Sequence, residues 1–154
     1  MKQNLFEGLF LDSFDTFKVF HNLTAQETGR NLPAVPKTIW QILNHLIVWQ
    51  EFQLNLLQSP ECEVELNEQM TWNAEEFCES QDRLNKTIAK FYHQLDCMKE
   101  EISKFDLTDP NLQCKLKVVQ DASVHLSFHI GEIVLMRRMT GHYPLLHQMK
   151  AFLN

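Results

Sequence analysis

Apolar residues recur at three- and four-residue spacing in four long stretches, the period of helices that each bury one face. The first runs from about Asn4 to His21. Its face is marked by Leu5, Phe6, Leu9, Phe10, Ser13, Phe14, Phe17 and Phe20, and Asn4 with Glu7 fits a capping box. A loop from Asn22 to Lys37 follows, holding Gly29, Pro33 and Pro36. The second stretch runs from Thr38 to Gln58. It opens on a Thr38–Gln41 capping box and carries Ile42, Leu46, Trp49, Phe52 and Leu56. The third runs from Asn73 to Phe105, with Asn73 as cap, Glu76 as its box partner, and Trp72 and Phe77 at the two positions of a hydrophobic staple. The fourth starts at Pro110 or Leu112, after a cap at Asp109, and ends near Thr140. Arg137 and Arg138 oppose the dipole in its last turn, Gly141 suits a left-handed cap, and Pro144 follows. The tail from Tyr143 to Asn154 is apolar enough to pack back on the body as a short helix.

Four helices of this length predict an all-α fold and a four-helix bundle. The Ser59–Thr71 connection can extend to about 43 Å, longer than the roughly 30 Å of a 20-residue helix. The second and third helices are therefore free to run parallel, joined by a crossover. A chain of 154 residues is expected to form a single domain over 1–154. Only four Gly and five Pro punctuate it, which argues against a β fold with many tight turns.

The net charge of −6 and the lack of basic clusters beyond Arg137-Arg138 exclude nucleic acid as an expected partner. Polar residues interrupt every apolar run long enough to matter for a bilayer, so no membrane association is expected. Cys62, Cys78, Cys97 and Cys114 form no C-x-x-C pair, and Glu7, Asp12 and Asp15 break any secretory core near the start. The expectation is free thiols and a cytoplasmic location.

Seven histidines offer candidate chemistry. His125 and His129 are a pair at i, i+4, one turn apart on one helical face, among Val124, Leu126, Phe128 and Ile130. His45 sits likewise amid Ile42, Leu46 and Trp49. Half-buried imidazoles need partners for their ring nitrogens, and three in mid-bundle can satisfy that need by sharing a metal ion. Three protein ligands with an open position is the composition of a catalytic site. Three unrelated histidines with ordinary hydrogen bonds is the competing reading. His21, His93, His142 and His147 are expected at the surface. Glu132 shares the face of the pair and is the candidate catalytic residue: it could orient a ligand, act as a base, or fill the fourth position. Asp121, one turn before His125, has the same ambiguity, and Trp49 could wall a pocket. The H-E-x-x-H, Glu-x-x-His, G-x-S-x-G and phosphate-loop patterns are absent.

The run from His125 through His129 and Glu132 to Ile133, followed by Arg137-Arg138-Met139-Thr140-Gly141, resembles the C-terminal signature of the DinB-like superfamily. The segment Thr38–Leu46 resembles that family's second-helix motif, which ends in its first metal-binding histidine. The resemblance covers nearly the whole chain. It implies an up-down-down-up four-helix bundle, with a divalent metal, nickel or zinc, on His45, His125 and His129. It also implies a homodimer acting on a small-molecule substrate, and either a thiol-dependent S-transferase using a low-molecular-weight thiol or a hydrolase. Glu132 departs from the family pattern, which has Gln there. The alternatives are a non-catalytic metal-binding or stress-related bundle, and an interaction bundle without metal.

Overall fold

The computed structural model describes residues 8–59 and 64–154. The chain is all-helical, and no strand forms among the described residues. Its α-helices are α1 (Ala25–Thr28), α2 (Ile39–Gln58), α3 (Gln81–Ser103), α4 (Leu112–Met139) and α5 (Met149–Leu153), with 3₁₀ turns at Glu68–Thr71 and Leu146–Gln148. α2 is the central element, packed against both α3 and α4. Its buried residues run around most of its circumference, as expected for a helix with neighbours on several sides. Arg83 lies over the Trp40 ring, and Lys90 pairs with Glu51. No helix among the described residues is long and apolar enough to cross a membrane.

Both ends of α2 and the C-terminal end of α4 form as the sequence predicts, whereas the cap expected at Asp109 does not: α4 is preceded by Asn111, which makes no side-chain cap bond. Thr38 accepts from the Gln41 amide, and the Gln41 side chain returns a bond to the Thr38 N–H. Gly141 sits at φ +76°, and the His142 N–H closes on the Arg137 carbonyl at 2.8 Å, which satisfies an end carbonyl of the helix. α4 begins at Leu112 instead of Pro110, because Asp109 accepts from the Asn111 N–H in a local turn. The short C-terminal helix also forms, as α5.

Two predicted elements differ. The first long helix does not form over the described part of its range, residues 8–21, which is a succession of turns. Phe17, Lys18 and Asn22 all have positive φ, and the Phe17 N–H is captured by Asp15 Oδ1 at 2.7 Å. The proposed Asn4–Glu7 box lies outside the described residues. Phe14, Val19 and Phe20 still reach the core, and Phe20 packs edge-on against Phe91 at 5.1 Å between ring centres. Leu9 and Phe17, expected on the buried face, are exposed.

The third helix begins seven residues later than expected, at Gln81 after a Ser80 cap. The segment before it serves other elements. Thr38 Oγ1 donates to the Glu76 carbonyl, Gln41 Nε2 to the Asn73 carbonyl, and the Cys78 N–H to Thr28 Oγ1. These bonds compete with a helix and hold the segment across the start of α2. Phe77 is exposed, so the proposed staple does not exist. The expectation of free thiols holds for Cys78 and Cys97. Cys114 is disulfide-bonded, which corrects that expectation for this residue, and Cys62 lies outside the described residues.

Candidate metal centre

α2 and α4 bring His45, His125 and His129 together, with one ring nitrogen from each lying within 4.8 Å of the others. His45 is fully buried, His129 nearly so, and His125 half-buried. His45 Nε2 and His125 Nε2 are 3.0 Å apart. The i, i+4 spacing on α4 puts the His125 and His129 rings 4.6 Å apart, edge to face.

Hydrogen bonds engage Nδ1 on two of the rings, His45 and His129, and leave Nε2 for a ligand. Thr71 Oγ1 donates its one proton to the Glu68 carbonyl at 2.6 Å. It can therefore only accept from His45 Nδ1, 2.7 Å away. His45 is thus the Nδ1–H tautomer, and its Nε2 lone pair faces the other two rings. Glu132 Oε2 lies 2.6 Å from His129 Nδ1, which makes that nitrogen a donor as well and leaves Nε2 as the position open to a metal. Hydroxyl and carboxylate partners of this kind set ring orientation and raise ligand basicity at metal sites. Of the roles open to Glu132, this contact is the orienting one.

The electrostatics favour neutral imidazoles. Burial pushes His45 down to about 3, with further lowering from the neighbouring His129, His125 and Lys37. Burial, then His129, pushes His125 down to about 4. Both rings are neutral at neutral pH, the charge state that a metal ion needs. Nitrogens in a tetrahedral site stand about 3.3 Å apart for metal–nitrogen bonds of about 2.0–2.1 Å. The closest pair stands at 3.0 Å and all three lie within 4.8 Å, so three nitrogen donors are gathered at the scale of a site for a divalent ion such as zinc or nickel.

Aromatic walls hold the cluster. Trp72 stacks on His45 at 3.8 Å with the planes 8° apart, and Trp49 lies 4.9 Å from the His125 ring. One side opens on a cleft of about 380 Å³, where Lys37, Glu68, Trp72 and Phe128 surround His125, His129 and Glu132. Trp49 also lines a larger cavity of about 780 Å³, which none of the three histidines reaches. Asp121 borders that second cavity and pairs with Lys117 at 2.6 Å, so it takes no part in the histidine cluster. His21, His93, His142 and His147 are exposed, as expected.

Thr71, Trp72 and Lys37 carry no sequence signal for this site. Thr71 stands in the connection after α2, and Trp72 fits a staple that does not form. A polar or aromatic residue beside a predicted helix, 26 or 27 positions from His45, reveals its partner only once the chain folds. No family model, no curated protein and no solved structure matches the chain.

Proposed function

We propose that this protein is a metal-dependent enzyme of the DinB-like kind, with nickel or zinc on His45, His125 and His129. The observation that carries the reading is the convergence of three imidazoles beside a cleft that two of them line, with His45 and His129 held from behind by Thr71 and Glu132. No fourth side chain of the described residues joins the cluster, and His125 and His129 border the open cleft. Three ligands beside an open volume is the composition of a catalytic site.

When bound there, a divalent ion would supply Lewis acidity, lowering the pKa of a thiol or a water so that either attacks near neutral pH. The chain's own residues do the rest. Thr71 and Glu132 hold the His45 and His129 rings in one orientation. Trp72 covers the His45 ring and Trp49 packs against His125. The cleft admits a small-molecule substrate. The favoured reaction is S-transfer from a low-molecular-weight thiol cosubstrate to an electrophile, with hydrolysis as the water-driven variant.

We extend the reading to the whole chain as an up-down-down-up bundle. The pairing of Trp40 with Arg83 and of Glu51 with Lys90 supports a parallel α2 and α3 joined by a crossover. The contacts of Trp49 with His125 and His45 with His129 support an antiparallel α4. Phe14 and Phe20, buried among α3 and its neighbours, support reading the N-terminal segment as the fourth member despite its turns. A homodimer is supported by an exposed apolar stripe on α4 formed by Val124, Phe128, Leu135 and Met139.

The test is turnover of 1-chloro-2,4-dinitrobenzene with L-cysteine or 2-mercaptoethanol by protein loaded with nickel or zinc. Metal-dependent turnover that disappears in His45→Ala, His125→Ala and His129→Ala is the expected result. One bound ion per chain with no turnover of any thiol or hydrolytic substrate would instead establish the non-catalytic metal-binding bundle.

A further inference from the structure

The cleft beside the histidines holds one basic residue, which the metal cluster does not explain. Lys37 is half-buried in its wall, with its ammonium 5.0 Å from the centre of the Trp72 ring. The same ring stacks on His45, so a cation, an indole and an imidazole lie in close succession. Among the described residues, Lys37 has no ion-pair partner. Its charge is felt at the cluster, where it helps to hold His45 neutral.

A lysine without a counter-ion is an unexpected neighbour for a site that takes a divalent cation. Like charges at short range oppose each other, most strongly where protein walls exclude water. An anion lying between them removes the repulsion and is attracted by both. Two carboxylates also face the cleft. Glu132 is engaged by His129 Nδ1, and Glu68 is exposed at the rim. Neither is paired with Lys37. The remaining walls, Trp72 and Phe128, are aromatic.

We propose that Lys37 is the specificity-determining residue of the cleft, and that the substrate is a small organic carboxylate. Its carboxylate pairs with the Lys37 ammonium, and its apolar portion lies against Trp72 and Phe128. This deepens the enzymatic reading above and rests on it only in taking the histidine wall as the reacting side. The ammonium acts as a compact point charge, so recognition is electrostatic more than directional.

Two probes of matched shape test the proposal: 3-phenylpropionate and 3-phenylpropan-1-ol. Binding is followed by tryptophan fluorescence and saturation-transfer NMR, on protein as purified and on the same protein after chelation. The carboxylate is expected to bind about ten-fold tighter than the alcohol, the effect of one charge-assisted contact. Lys37→Gln should abolish that preference in both preparations, and Lys37→Arg should retain most of it. Glu68→Gln should tighten carboxylate binding, because it removes a competing negative charge. Equal affinity for the two probes, a preference that survives Lys37→Gln, or no binding of either probe would overturn the proposal. Metal content measured on the same samples judges the metal reading separately, since the chelated protein tests Lys37 without it.

Discussion

At the residue scale, the function of the cluster depends on hydrogens that are placed from outside it. The Thr71 hydroxyl is an acceptor for His45 only because its own proton goes to the Glu68 carbonyl. Thr71→Val keeps the shape and removes the acceptor. It should weaken metal binding by about 10–100-fold, the usual cost of losing such a partner, while Thr71→Ser stays near wild type. Competition against a chromophoric chelator measures this, and unchanged affinity in Thr71→Val would show that the hydroxyl is incidental.

The same burial gives the metal-free protein a pH dependence. His45 and His125, pushed down to about 3 and about 4, stay neutral in the fold, whereas in the unfolded chain they take up protons around pH 6.5. The unfolded state therefore binds more protons between those values, and stability rises with pH across that window. Urea denaturation of chelated protein should show full stability above about pH 6.5 and a progressive loss as pH falls toward 4. His45→Gln should flatten part of that slope.

At the scale of elements, what was legible in the sequence was local, and what was not was tertiary. The Thr38–Gln41 box, the Arg137–Gly141 stop and the His125–His129 pair each depend on residues within one or two turns, and each appears where expected. The Asn73–Phe77 start fails because its backbone is claimed by Thr38, Gln41 and Thr28, 32 to 50 positions away. The N-terminal stretch has helical periodicity but lacks helical dihedrals at Phe17 and Lys18, and Phe14 and Phe20 reach the core from turns. Periodicity there recorded which residues are apolar, not the backbone that carries them.

The close packing of that claimed segment has its own test. A Cβ on Gly29 would stand 2.3 Å from Phe77 Cβ, and the neighbouring backbone at Phe77 and Glu76 leaves little room to yield. Gly29→Ala should destabilise the protein by about 1–3 kcal/mol, as overpacking does. Thermal denaturation would register this as a fall in Tm, and an unchanged Tm would mean that the segment moves aside freely.

At the scale of the whole molecule, the acidic chain carries a conspicuous apolar stripe along α4. Val124, Phe128, Leu135 and Met139 recur on one face of α4 and are all more than half exposed. Gly131 lies on the same face with open space around its Cβ position, which permits close approach of another helix. If two copies meet there, Leu135→Glu should weaken self-association at least about thirty-fold, the loss of one hot-spot residue. Sedimentation velocity would show the shift, and a wild type that stays monomeric at high concentration would exclude the dimer.

The central claim is that the three histidines bind one metal ion, and the metal content of the purified protein tests it most directly. Elemental analysis is made on protein prepared without a metal-affinity tag, wild type beside His125→Ala, the half-buried ligand whose removal disturbs the core least. The account predicts about one divalent ion per chain in the wild type, lost in the variant with helix content retained. Absence of metal from both, even after exposure to nickel and zinc, would contradict it.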